Sequence, residues 1–234
     1  GHPNPPGSRF CNACGTPLAP IAAKRDQPDT PAHLAERILS TRTALEGERK
    51  QVTVLFADVK GSMELAEQLD PEAWSTIMQR FFTILAEGVE RFEGFVDKFT
   101  GDGIMALFGA PIAHEDHAHR ACYAALHLQD ELRRHADEVR RVQGLSFSVR
   151  IGLNSGDVVV GTIGDDLRMD YTAQGHVVGL AARMEQLAEP GKVLLTDRTA
   201  SLVAGYFRLR DLGPFTIKGV GRPLRVHELE GLGQ

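Results

Sequence analysis

The run Val52-Thr53-Val54-Leu55-Phe56-Ala57 constrains this chain more than any other stretch of it. Val52, Val54 and Phe56 alternate with Thr53, Leu55 and Ala57, so both sides of the extended chain are almost wholly apolar, the pattern of a strand buried in a sheet. The run stops at Asp58, a charged residue where a neutral one would pack better. Val59-Lys60-Gly61-Ser62-Met63 follows, and then helical periodicity, so a strand feeds a helix through a glycine-containing turn. Free amides at such a helix start point outward and favour phosphate groups.

The rest of the chain has the grain of an α+β domain. Helical periodicity breaks at Asp70-Pro71 and resumes through Trp74, Ile77, Phe81, Phe82, Leu85 and Val89, with Gly94 closing it. Phe95 to Phe99 and Ile104 to Phe108 are short apolar runs joined by Thr100-Gly101-Asp102-Gly103, which reads as a tight β-hairpin. A long helix from about His114 to Val142 comes next. Strands are expected at Ser146 to Leu153, at Asp157 to Thr162 and ending near Thr172, followed by a helix from His176 to Leu187, a strand at Val193 to Thr196 and a C-terminal pair of strands. This order suits an antiparallel or mixed sheet with helices on one face.

The first 46 residues differ in character. Residues 1–29 are crowded with proline and small polar residues and show no period that could bury a face, so they are expected to form a flexible linker. Within them lies Phe10-Cys11-Asn12-Ala13-Cys14-Gly15, a C-x-x-C knuckle whose glycine lets both thiolates face one ion. Zn²⁺ takes four ligands and Cys11 and Cys14 offer two. The segment is therefore either half of a zinc ribbon completed by other residues, or a pair of ordinary thiols. Thr30-Pro31, a capping hydroxyl before a first-turn proline, opens a short connecting helix over residues 30–46, and residues 47–234 form the main domain. Starting without a methionine, the chain reads as a fragment of a longer protein. Cys122, inside the long helical pattern, reads as a small core residue.

Charge and hydropathy remove several classes of function. With 26 Lys and Arg against 31 Asp and Glu, the net charge is −5, which disfavours non-specific attraction to nucleic acid or anionic lipid. No apolar run approaches the roughly 18 residues of a membrane span, and no charged-then-apolar leader opens the sequence. Three cysteines make no disulfide framework, so a cytoplasmic location is expected.

Two aspartates carry the strongest chemical signal. Asp58 ends its strand and Asp102 sits at the hairpin tip. If the strand lies beside the hairpin, both carboxylates reach one end of the sheet and can hold one or two divalent cations together with phosphate oxygens. His114, His117 and His119 crowd the start of the long helix beside Glu115 and Asp116, and are read as surface and capping residues rather than metal ligands.

Four motifs together resemble the class III nucleotidyl cyclases: Leu55-Phe56-Ala57-Asp58-Val59-Lys60-Gly61, Lys98-Phe99-Thr100-Gly101-Asp102-Gly103, Gly152-Leu153-Asn154-Ser155-Gly156 and Ala181-Ala182-Arg183-Met184. The resemblance covers about Glu48 to Leu229. It implies a ferredoxin-like βαββαβ core sheet with additional helices and strands, and a head-to-tail homodimer with active sites at the interface. It implies that Asp58 and Asp102, assisted by the Val59 carbonyl, bind two Mg²⁺ or Mn²⁺ ions. Lys60, Gly61, Ser62 and Met63, with Gly101, would cradle the β- and γ-phosphates of ATP. The partner chain would supply Lys98 and Thr172 to read the base, Arg183 to stabilise charge on the α-phosphate, and Lys218 to contact the triphosphate.

An ammonium group donates hydrogen bonds, and N1 of adenine accepts them whereas N1 of guanine carries a hydrogen, so Lys98 favours ATP. Three positions depart from the family pattern. Gly179 stands where an asparagine usually orients the ribose, Ser62-Met63 replaces Phe-Thr, and Thr172 stands where many adenylyl cyclases have aspartate. The expected activity is an adenylate cyclase. The competing readings are a guanylate cyclase, or a catalytically weak or inactive nucleotide-sensing and dimerisation module.

Overall fold

A computed structural model of the chain describes residues 48–160 and 175–233. All of them belong to one compact unit, Ser40–Gln234. The cysteine knuckle, the connecting helix and the strand expected near Thr172 lie outside the described residues.

Strand β1 (Glu48–Val59) leads into the short helix α1 (Ser62–Ala66) and the long helix α2 (Pro71–Arg91). The hairpin β2 (Phe95–Phe99) and β3 (Gly103–Phe108) follows, then α3 (His117–Gln143) and β4 (Val149–Val160). The chain continues with α4 (Gly175–Leu187), β5 (Val193–Thr196), α5 (Asp197–Leu202), β6 (Phe207–Phe215) and β7 (Leu224–Leu232). The seven strands form one sheet in the order β2-β3-β1-β4-β5-β7-β6. β1 pairs antiparallel with both β3 and β4, and β2 with β3, which is the βαββαβ ferredoxin-like core; among the described strands only β4 with β5 is parallel.

The alternation in β1 sets up two cores. Leu55, Ala57 and Val59 pack with Ile104, Ala106 and Phe108 against α2 and α3. Val52 and Val54 point the other way, with Met105, Leu107 and Val158, against Ala181 of α4. The expectation of helices on one face therefore holds for α2 and α3 but fails for α4. An all-apolar strand needs cover on both sides, and α4 supplies the second layer.

α2 starts where Asp70-Pro71 predicts. The Asp70 carboxylate accepts hydrogen bonds from the amides of Glu72 and Ala73, both at 3.0 Å, and Pro71 occupies the first helical position. Ile77, Phe81, Leu85 and Val89 recur every fourth residue on its buried face. α3 begins at His117, three residues later than the sequence suggests. Cys122 is fully buried, as expected, and burial pushes its thiol up to about 12.

The two strands expected at 146–153 and 157–162 are instead one continuous β4 through Asn154-Ser155-Gly156. Polar residues can occupy a strand interior where their side chains find partners, and these do. The Asn154 amide donates to the Val177 carbonyl and its oxygen accepts from the Thr196 hydroxyl. Ser155 pairs with the hydroxyls of Thr53 and Thr199, and Thr53 in turn with Nδ1 of His117 at 2.8 Å. This corrects the surface role expected for His117, which is 5% exposed. His114 lies 3.5 Å from Glu93, and His119 packs edge-on against Tyr206.

Gly152 is where α4 touches the sheet. A Cβ there would lie 2.0 Å from the Glu185 nitrogen and 2.4 Å from the Ala181 carbonyl oxygen, so helix backbone rests directly on strand backbone. Gly152→Ala is expected to lose about 1–3 kcal/mol or more, read as a lower urea midpoint, because the obstacle is backbone and cannot rotate away. Gly221→Ala, where no atom of the described residues lies within 4 Å of the added carbon, should unfold as the wild type does.

Burial also holds the imidazoles of His117 and His135 below their ordinary 6.5. As the pH falls through 6.5 the unfolded chain gains protons that the folded chain refuses, so folding stability should decline from there downward. His117→Gln should make that acid-side decline shallower in denaturant titrations, even if its stability at neutral pH is lower.

Candidate active site

The antiparallel pairing of β1 with β3 places Asp58 opposite Gly103, so the β2–β3 turn sits against the end of β1. The Val59 amide donates to the Asp102 carbonyl at 3.1 Å, and the Thr100 amide to the Gly103 carbonyl at 2.9 Å. Gly103 makes this contact possible: a Cβ there would lie 2.2 Å from the Ala57 carbonyl oxygen. Asp58 and Asp102 are consequently brought side by side, close enough for each carboxyl group to act on the other. The expected meeting of the two aspartates at one end of the sheet is what the fold produces.

The turn after β1 is fixed by the Lys60 amide, which donates to the Ser148 carbonyl at 2.9 Å, and by Gly61, whose φ of 70° starts α1. The Ser62 hydroxyl then donates to Asp102. Met63 is 76% exposed at the mouth of an open cleft of about 480 Å³, whose lining includes Ser62, Trp74, Phe82, Gly101 and Asp102.

Two residues that the sequence reading did not single out complete the cluster. Arg150 of β4 reaches Asp58 Oδ2 at 3.1 Å and Glu185 Oε1 at 2.7 Å through the same nitrogen, Nη2. Glu185, on the buried side of α4, is 6% exposed. Both had a sequence signal. Arg150 is a charge inside the apolar run Val149-Arg150-Ile151, and Glu185 falls four residues after the buried Ala181, on the stripe that also carries Met184 and Ala188.

Two carboxylates, Asp58 and Glu185, thus meet one guanidinium, with the Asp102 carboxylate beside Asp58. Burial is the main cause that raises Asp58 to about 7, with the hydrogen bond to Asp102 and the charges of Asp102 and Glu185 adding to it against Arg150. Burial acts on Asp102 in the same direction but is outweighed there by the hydrogen bonds from Ser62 and Asp58, which hold it below the usual carboxylate range. Burial also raises Glu185, opposed by Arg150. Adjacent carboxylates in a half-buried setting mark a place where a cation would relieve repulsion. The donors are all oxygen, which suits Mg²⁺ or Mn²⁺. Among the described residues no group of three His, Cys, Asp or Glu side chains is arranged to hold a metal ion alone. Two carboxylates suit an ion that keeps much of its coordination for water and substrate phosphates.

Of the remaining expected residues, the three that are described do not join this cluster within one chain. Lys98, on the sheet-edge strand β2, is half exposed with its ammonium 3.3 Å from Asp97. Arg183 projects from the exposed side of α4 and donates to Gln186 Oε1 at 2.5 Å. Lys218 is exposed in the β6–β7 connection. Thr172, Cys11 and Cys14 lie outside the described residues. No described helix is long and apolar enough to cross a membrane.

Comparison with known proteins places this arrangement. The chain is 30% identical over 187 residues to Adenylate cyclase 1 of Rhizobium meliloti (strain 1021), covering 79% of this chain and 28% of that protein. An uncharacterized protein of Mycobacterium tuberculosis is 32% identical over 195 residues, covering 82% of this chain and 35% of the relative. The chain therefore spans only about a third of the length of the curated relatives it matches. Among solved structures it resembles the adenylyl cyclase CyaB from P. aeruginosa at 33% identity and a TM-score of 0.73, covering 80% of this chain and 96% of that one. It resembles the guanylyl cyclase Cya2 equally, at 30% identity, a TM-score of 0.73, and 81% and 96% coverage. The sequence pattern of the adenylate and guanylate cyclase catalytic domain matches residues 46–231, and the chain belongs to that family.

Proposed function

We propose that this chain is an adenylate cyclase, converting ATP to 3′,5′-cyclic AMP and pyrophosphate at sites shared by two copies in a head-to-tail homodimer. The observation that carries the reading is the division of its polar residues. Asp58 and Asp102 meet at one end of β1, while Lys98, Arg183 and Lys218 project elsewhere from the same chain. A second copy would bring its own Lys98, Thr172, Arg183 and Lys218 to the aspartates of the first.

Asp58 and Asp102, with the Val59 carbonyl, would hold two divalent ions, and the turn Lys60 to Met63 with Gly101 would lie along the β- and γ-phosphates. The ions supply charge neutralisation of the triphosphate and a lowered pKa for the ribose 3′-hydroxyl. That hydroxyl attacks the α-phosphorus in line and loses its proton to solvent as the bond to pyrophosphate breaks. The partner's residues bind and orient the nucleotide. An ammonium at Lys98 donates to adenine N1, the Thr172 hydroxyl accepts from the exocyclic amine, and the Arg183 guanidinium stabilises charge accumulating on the α-phosphate. The identity to adenylyl cyclases supports ATP, and the equal structural likeness to a guanylyl cyclase makes GTP the necessary comparison. Cys11 and Cys14 would contribute two of four Zn²⁺ ligands if other residues complete the set.

The decisive assay is release of cyclic nucleotide and pyrophosphate from ATP and from GTP with Mn²⁺. ATP is expected to be the better substrate, and Asp58→Ala and Lys98→Ala proteins, each inactive alone, should regain activity on mixing because one heterodimer site is then intact. Nucleotide binding without pyrophosphate release would overturn the cyclase reading.

Gly179 offers a second test. A Cβ at that position meets no atom of the described residues within 4 Å, so α4 accepts the start of a side chain there. Gly179→Asn is expected to leave the melting temperature unchanged or slightly higher. It should raise kcat up to about tenfold, the rate equivalent of one recovered hydrogen bond worth about 1.4 kcal/mol.

A further inference from the structure

We propose that Glu185 is a positioning residue for the metal-binding end of β1, acting through Arg150. The proposal rests on the reading of Asp58 and Asp102 as metal ligands.

Arg150 Nη2 is shared between two carboxylates, 2.7 Å from Glu185 and 3.1 Å from Asp58. Its Nη1 faces the Gln186 carbonyl at 3.5 Å, so the guanidinium is held from the α4 side by one residue's side chain and the next residue's backbone. Arg150 and Glu185 side chains are 17% and 8% exposed, which leaves little water to take the place of either partner. The support behind Glu185 is rigid, because its nitrogen lies over Gly152, where even a Cβ would be 2.0 Å away. Arg150 and Gly152 are alternate residues of the same strand and face the same helix.

This geometry creates a competition for Asp58. A cation that binds Asp58 must displace or share it with the Arg150 guanidinium. Glu185 supplies the alternative partner that lets Arg150 remain paired when Asp58 turns to the metal. With a neutral side chain at 185, Arg150 would have only Asp58 as a close anionic partner and would hold it against the metal. A buried guanidinium stripped of one carboxylate clings to the other, because leaving it unpaired costs far more than the pair itself contributes.

The test is Mn²⁺ alone titrated into the purified full chain, with free Mn²⁺ followed by its EPR signal, so that no turnover is needed. Glu185→Gln is expected to weaken Mn²⁺ binding roughly tenfold, the size typical of groups that orient a metal ligand without touching the metal. Glu185→Asp should recover part of that loss. In an Arg150→Gln background, Glu185→Gln should change affinity little, because the group it acts through is gone. Unchanged affinity in Glu185→Gln, or an equal loss in both backgrounds, overturns the proposal and leaves only a general charge effect. So does wild-type protein that binds Mn²⁺ no better than Asp58→Ala. If Glu185→Gln does not fold, the same cycle is read with Glu185→Asp against Arg150→Gln, where a loss confined to the Arg150 background is expected and additivity overturns the proposal. Wild-type protein that binds Mn²⁺ at Asp58 yet forms no cyclic nucleotide would overturn the cyclase reading while leaving the Glu185 cycle interpretable.

Discussion

The described domain is hung on β1. This strand is paired on both edges, with β3 and β4, and buried on both faces, by α2 and α3 on one side and α4 on the other. A strand so enclosed has no freedom to slide, since a shift of one residue would exchange its two apolar faces and break both ladders. The position of Asp58 is therefore decided by packing along the preceding residues. Asp102 is held by the same ladder from the other side, through Gly103 and the Val59 amide. The core that stabilises the domain and the alignment that brings two carboxylates together are the same set of contacts.

That alignment is electrostatically unfavourable by itself. Two adjacent carboxylates, with a third from Glu185 nearby, face a single guanidinium in a half-buried setting, and the outcome is a proton retained on Asp58 up to about pH 7. Functional sites concentrate such perturbed groups because chemistry needs charge where folding would rather avoid it. The chain belongs to the adenylate and guanylate cyclase family, and cation and polyphosphate binding is the role proposed for this carboxylate cluster. A second economy is visible in the shared use of α4. Its buried side carries Glu185 toward Asp58, and its exposed side carries Arg183 away from it.

Much of this was legible beforehand. The all-apolar run before Asp58, the Asp70-Pro71 helix start and the Thr100-Gly101-Asp102-Gly103 hairpin are local signals, and each element formed where its residues indicate. The break expected at Asn154-Ser155 did not form because their polar groups are satisfied by Val177, Thr196, Thr53 and Thr199, partners distant in sequence. His117 went inward for the same reason, its ring finding the Thr53 hydroxyl. The pairing of Arg150 with Glu185 was not legible in the sequence, because a charge in an apolar pattern states only that a partner exists, and the partner lies 35 residues away on another element.

The sequence by itself determined β1, the start of α2, the β2–β3 hairpin and the candidate aspartates, because periodicity, turn chemistry and a charge ending an apolar strand are properties of neighbouring residues. The tertiary structure alone decided that α4 covers the second face of the sheet, that Gly152 lets it rest on bare backbone, and that Glu185 and Asp58 share one arginine. Those depend on which surfaces meet, and a chain records the chemistry of its surfaces without recording their mates until the strand order is set.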